Sequence, residues 1–117
     1  MTELLSRPVL PTAVFAEYDE LAIGALWALR RAGLSVPGHV SVISIDDHAL
    51  ASMFDLTTVA QDVRQQGAIG AGLLLQAVDA GEISPADRQV LLPTRLVLRG
   101  TTSPPSTERI LPAPDDA

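Results

Sequence analysis

Short β-branched runs alternate with helix-length segments along this chain, the pattern of βαβ units feeding a parallel sheet. Pro11-Thr12 leads into Ala13-Val14-Phe15-Ala16, a short apolar run that reads as a buried strand. A helix is expected over 20–32, with Asp19 where an N-cap belongs and Gly33 as the left-handed residue past its end. Leu34 can pack back on the last turn, and Pro37-Gly38 completes the turn. Val40-Ser-Val-Ile-Ser-Ile45 is the best strand by β-propensity, and it stops at Asp46-Asp47. A loop or helical turn over 48–55 precedes a brief strand, Leu56-Thr-Thr-Val59. Asp62 and Gln65 then have capping-box spacing at the head of a helix over 63–80, which ends at Gly81. Gly67, Gly70 and Gly72 inside it each cost about 1 kcal/mol relative to Ala, so packing has to hold this helix. After a polar turn over 82–88, Val90-Leu91-Leu92 and Leu96-Val97-Leu98 read as strands parted by Pro93, which has no amide to give a ladder. No internal repeat is visible.

At 117 residues the chain has room for one domain at most, and 47% apolar residues suffice for a core. Residues 1–10 read as a lead-in, 11–103 as the α/β region and 104–117 as a disordered tail. The Thr-Thr-Ser-Pro-Pro-Ser run already has that tail composition from Gly100 onward. Fourteen acidic residues against eight basic ones, all Arg, give a net charge of -6, which disfavours direct binding to nucleic-acid phosphates or an anionic membrane. The absence of Cys excludes disulfide frameworks, thiolate zinc sites and Cys nucleophiles. With only Phe15, Tyr18, Trp27 and Phe54 as aromatic residues, a base-stacking platform is not expected. The first ten residues lack a secretory pattern, and no apolar run approaches the roughly 20 residues that span a bilayer. A soluble, cytoplasmic chain without membrane association is expected.

At about 100° per residue, Ala22, Ala25, Leu26 and Leu29 share one stripe of the first long helix, the face expected to cover the sheet. Ile23 and Trp27 lie about 100° away, near Arg30 and Arg31. Either the core stripe extends round to Trp27, or the two residues form a second apolar patch that meets another chain or domain.

Ligands of open α/β sheets bind outside the carboxyl ends of the strands. Two acidic clusters occupy those positions: Glu17-Tyr18-Asp19-Glu20 after the first strand and Asp46-Asp47-His48 after the second. Taken singly, Asp19 and one of Asp46 or Asp47 are accounted for by capping or a turn. Taken together, the clusters open on one crevice if their strands are neighbours, and a carboxylate there can accept from the vicinal hydroxyls of a sugar or polyol. An acid–base or metal group made of Asp46, Asp47 and His48 is a weaker alternative, because consecutive side chains splay apart. His39 falls in a turn and reads as solvated. Nucleophile-elbow, Walker and dinucleotide-binding motifs are absent, as are a helix-turn-helix and a basic arm. No catalytic residue, metal site or cofactor is expected.

The same residues carry a resemblance to the LacI/GalR family of transcription regulators, in its periplasmic-binding-protein-like (type I) effector domain. The matching strings are Pro11-Thr-Ala-Val-Phe-Ala-Glu-Tyr-Asp-Glu-Leu-Ala-Ile-Gly-Ala25, Ala32-Gly-Leu-Ser-Val-Pro37, Val40-Ser-Val-Ile-Ser-Ile-Asp-Asp47, Leu56-Thr-Thr-Val-Ala-Gln61 and Leu92-Pro-Thr-Arg-Leu-Val-Leu-Arg99. The resemblance implies an incomplete α/β parallel-sheet sandwich with parts of two lobes, Thr57 to Asp62 holding one crossing and the 63–80 helix belonging to the second lobe. It implies a small-molecule, sugar-like effector and a homodimer in the full-length protein, and DNA as a partner only through an N-terminal helix-turn-helix absent from this chain. By position, Tyr18 stands where the family has Asn and Asp46 where it has the first Asp of a Gly-Phe/Tyr-Asp-Asp motif; both would face the effector, and Gln61 joins them at the crossing. The family's dimer contacts fall on the face of Ile23 and Trp27. Ser44 replaces a usual Gly, and Ala60 replaces a usual basic residue before Gln61. A piece of a periplasmic sugar-binding transport protein is the second reading.

Overall fold

The β-branched run after Gly38 forms the longest strand of the sheet. The computed structural model describes residues 1–81 and 89–105. Strands β1 (Ala13–Phe15), β2 (Ser41–Asp46), β3 (Thr57–Ala60) and β4 (Arg95–Val97) lie side by side in that order. β1 runs parallel to β2 with Val14 opposite Val42, and β2 runs parallel to β3 with Ser44 opposite Thr58. Helix α1 (Thr2–Leu5) opens the chain, α2 (Asp19–Arg31) joins β1 to β2, α3 (Ala49–Met53) joins β2 to β3, and α4 (Val63–Ala80) follows β3. The fold is therefore α/β with parallel pairing, as the alternating pattern predicts.

The chain divides into two compact units, Met1–Ala60 with Leu96–Ala117, and Gln61–Arg95. In the first unit the core gathers Ala22 and Leu29 of α2, Val40 and Val42 around the start of β2, Ala51 of α3 and Leu56 before β3. Met1, Leu5 and Leu10 of the lead-in contribute as well, Leu10 as a buried residue and the other two as half-buried packing. α2 ends where glycine permits it: Gly33 has φ 71°, its N–H donates to the Arg30 carbonyl at 3.1 Å, and the Leu34 N–H donates to the Leu29 carbonyl at 3.0 Å. That pair of bonds satisfies two terminal carbonyls, and Leu34 packs back on the core as expected.

Several local expectations fail. The run over 13–16 forms a strand but not a buried one, Phe15 being 62% exposed, because no helix covers that side of the short edge strand among the described residues. Asp19 is not the N-cap of α2; Tyr18 holds that position without a side-chain cap bond, and Asp19 is the first helical residue, turned inward. The segment after Gly100 is not tail-like up to Ser103, because hydroxyls hold it to the sheet. Thr101 receives the Val42 N–H on its carbonyl at 2.8 Å, gives its hydroxyl to the Val42 carbonyl at 2.7 Å, and accepts the Thr57 N–H on the same hydroxyl at 2.8 Å. Ser103 exchanges bonds with the Ser41 hydroxyl, both at 3.1 Å. Finally, Val90-Leu91-Leu92 forms no strand, and Leu91 is 85% exposed. A three-residue apolar run ahead of a proline lacks both the length and the donor that a ladder needs. The polar turn over 82–88 and the tail over 106–117 lie outside the described residues.

In the second unit the Asp62 carboxylate accepts the Gln65 N–H at 2.8 Å at the head of α4, and Gly81 ends the helix at φ 77°. No residue of α4 is buried, and Leu74, Leu75 and Val78 are each more than 60% exposed. No helix is long and apolar enough to cross a membrane among the described residues.

Candidate functional site

Parallel strands bring the ends of β1 and β2 together, so the segments that follow them open at the same edge of the sheet. Asp19 stands at the centre of this edge and is fully buried. Its Oδ1 accepts from the hydroxyls of Ser44 at 2.5 Å and Thr58 at 2.7 Å, and its Oδ2 accepts the His48 N–H at 2.6 Å. One carboxylate thus ties α2 to β2, β3 and the head of α3. Such burial is tolerable because the lone pairs are met; among the described residues no buried side-chain polar atom lacks a partner.

The Asp46-Asp47 turn is built from unusual backbone. Asp46 has φ 128° and Asp47 φ 58°. The Asp47 N–H donates to Thr58 Oγ1 at 3.3 Å, and the Asp47 carboxylate pairs with Arg99 Nη2 at 2.7 Å. Arg99 also donates from Nη1 to the Leu56 carbonyl at 2.8 Å. Asp46, the last residue of β2, is half-buried, and Tyr18, three residues past β1, is 51% exposed. Tyr18 and Asp46 are therefore presented at the carboxyl ends of neighbouring strands of one unit. Gln61 belongs to the other unit, where it lines a cleft of about 380 Å³ with Gln66, Ile69 and Leu73.

The two histidines have structural tasks. His48 caps α3, its Nδ1 accepting from the Leu50 N–H at 3.3 Å. His39 is half-buried rather than solvated, with Nδ1 2.8 Å from the Ser35 N–H and 2.9 Å from the Ser35 hydroxyl. With His48 capping and Asp47 paired, the acid–base reading of Asp46, Asp47 and His48 loses two of its members. No cluster of three or more His, Asp or Glu suited to a metal ion occurs among the described residues. Ser44, Thr58 and Arg99 were not singled out as site residues in the sequence. The one available signal was Ser44 at a position where Gly is usual.

The outer face of α2 divides the two readings of Ile23 and Trp27. Ile23 is half-buried and packs against the core, whereas Trp27 is 61% exposed, with the Arg31 guanidinium carbon 4.7 Å from its ring centroid. Both line an open cleft of about 510 Å³, together with Glu20, Arg30 and Phe54.

Residues 1–102 match the family described as periplasmic binding protein-like domain. The chain is 35% identical to the lactose operon repressor of Escherichia coli (strain K12), over 94% of this chain and 30% of the repressor. A crystal structure of a dimeric lac repressor with an 11-residue C-terminal deletion superposes with a TM-score of 0.73 at 36% identity, covering 82% of this chain and 35% of that one. A LacI family transcriptional regulator from Enterococcus faecium, solved with bound ribose, gives 0.74 at 33% identity, covering 90% and 38%. The chain thus spans about a third of the length of these relatives.

Proposed function

We propose, from the premise that this chain belongs to the family of periplasmic binding protein-like domains found in LacI/GalR-type regulators, that it senses a small, sugar-like effector at the carboxyl ends of β1 and β2. The observation that carries this reading is the division of work among the groups there. Asp19 is fully buried and committed to Ser44, Thr58 and His48, while Tyr18 and Asp46 on the adjoining segments reach solvent. A carboxylate and a phenol so placed accept from and donate to vicinal hydroxyls, and the ring offers an apolar face to the C–H side of a sugar.

In the complete regulator, effector binding shifts the balance between two arrangements of the lobes, and with it the DNA affinity of an N-terminal helix-turn-helix. A second copy docks on the α2 face of Ile23 and Trp27, supported by the exposure of a Trp beside Arg, residue types favoured at interface centres. The chain works in the cytoplasm. The names of its relatives, repressors and regulators, support this over a transport protein and over an enzyme.

Titration of the isotopically labelled chain with D-ribose and D-galactose, followed by amide chemical shifts, tests the reading. We expect shifts at Tyr18 and across residues 46–48, and a loss of affinity of about tenfold or more in Asp46→Asn, since hydrogen bonds to a charged group are each worth roughly 1.5–3 kcal/mol. No response at those amides to either sugar would overturn it.

A further inference from the structure

Two consecutive non-glycine residues close β2 at positive φ, Asp46 at 128° and Asp47 at 58°. An L-residue adopts such backbone at a cost and keeps it only where its surroundings impose it. Asp47 lies in the left-handed well that Asp tolerates; Asp46 lies outside it. The restraints come from two directions. From inside, Asp19 Oδ2 takes the His48 N–H and Thr58 Oγ1 takes the Asp47 N–H. From the far end of the chain, Arg99 holds the Asp47 carboxylate through Nη2 and the Leu56 carbonyl through Nη1, and its own N–H is fixed on Thr57 Oγ1 at 3.0 Å.

We propose that Arg99 is a positioning residue of the ligand site: by bridging Asp47 and the backbone ahead of β3, it holds the Asp46-Asp47 turn at positive φ and so aims Asp46 before a ligand arrives. The part given to Asp46 rests on the sensing function proposed above; the control of the turn does not. Arg suits this place because its planar fork reaches two acceptors at once, which an ammonium group does not reproduce. At 19% exposure of the Arg99 side chain and 23% of the Asp47 side chain, the pair is partly shielded from solvent, unlike a surface ion pair. A turn that is correctly formed only part of the time weakens binding by the inverse of that fraction, so release of the turn to a tenth of the population raises Kd about tenfold.

The test is NMR of the labelled 117-residue chain, with the intraresidue HN–Hα cross-peak of Asp47, intense at positive φ, as the report on the turn. In Arg99→Gln we expect that cross-peak to weaken and the amides of residues 46–48 to broaden, while Leu29 and Val42 keep their shifts, and affinity for D-ribose to fall about tenfold. Adding Asp47→Gly to Arg99→Gln restores narrow signals at Asp46 and His48 and most of the affinity, because glycine takes positive φ without a side-chain penalty; adding Asp47→Ala does not. A merely stabilising Arg99 would not be rescued by glycine at one position. If Arg99→Gln unfolds the chain, Arg99→Lys provides the same comparison. An unchanged Asp47 cross-peak in the Arg99 variant, or failure of Asp47→Gly to restore the turn, overturns the proposal. If the unmodified chain binds neither D-ribose nor D-galactose, the sugar reading fails separately, and the turn signals still decide the role of Arg99.

Discussion

The Ser44 hydroxyl donates to Asp19 Oδ1 at 2.5 Å between two side chains that are both fully buried and 25 positions apart. The bond ties the first turn of α2 to the middle of β2, with Tyr18 next to one partner in sequence and Asp46 two residues from the other. Serine stands there where the resemblance leads one to expect glycine, so this chain supplies from a side chain a donor that glycine lacks.

Replacing Ser44 by Gly removes one buried donor and adds backbone freedom to a strand; an expected loss of about 1–2 kcal/mol follows from the hydrogen bond and the glycine cost together. Asp19→Ala is more severe. It strands two hydroxyls and one backbone N–H, for an expected loss of about 3 kcal/mol or more. Urea denaturation of both variants, with Asp46→Asn as a control that leaves this node intact, measures the difference.

Trp27→Ala is expected to separate assembly from stability. The ring is 61% exposed and its contact with Arg31 is a surface one, worth about 0.5–1 kcal/mol. Leu29→Ala, two positions on and facing the core at 1% exposure, is expected to cost about 2–5 kcal/mol. Sedimentation equilibrium should find self-association weakened in Trp27→Ala with the melting temperature nearly kept. A monomeric unmodified chain, or an unchanged association constant in the variant, would count against the α2 face as an interface.

Hydrogen exchange is expected to divide α4 from β2. α4 has no buried residue, and among the described residues nothing lies within 4 Å of where a Cβ would stand on Gly67, Gly70 or Gly72. A helix without a buried residue opens readily, whereas strands paired on both sides open near the global limit. The amides of α4 should therefore exchange orders of magnitude faster than those of Val42 and Ser44. Equal protection would show that something covers α4 in solution.

Thr101→Val keeps the shape of the side chain and removes the hydroxyl shared by the Val42 carbonyl and the Thr57 N–H. Both groups are then buried without that partner, and a loss of about 1–3 kcal/mol is expected. A chain ending at Gly100 also loses the main-chain bond from Val42 and should melt lower still. Differential scanning calorimetry orders the three.

The elements that could be read from the sequence are those whose pattern is local. The β-branched run before Asp46-Asp47, the stripe of Ala22, Ala25 and Leu29, and the Gly33 and Gly81 stops each follow from a few neighbouring residues, and α2, β2 and α4 stand within a residue of where the pattern sets them. What could not be read depends on partners distant in the chain. Asp19 has the residue type and position of an N-cap, and only the folded sheet brings Ser44, Thr58 and His48 to its carboxylate. Thr101 sits in a run whose composition is that of a tail, and it is ordered by Val42 and Thr57. In the candidate site, the strand-end rule reached Tyr18 and Asp46, while Arg99, which grips the turn, comes from 52 positions away.

Because Thr101 closes the seam between β2 and β3, the order of synthesis matters to this fold. A nascent chain that has grown only through Gly100 already contains every strand yet lacks the hydroxyl and carbonyl that Val42 and Thr57 require. The Gln61–Arg95 unit has to be made before those bonds can form, so the seam gains these partners late in vectorial folding. Until Thr101 is in place the Val42 and Thr57 backbone groups lack the partners it supplies, although the ladder from Ile43–Thr57 to Asp46–Ala60 can already pair.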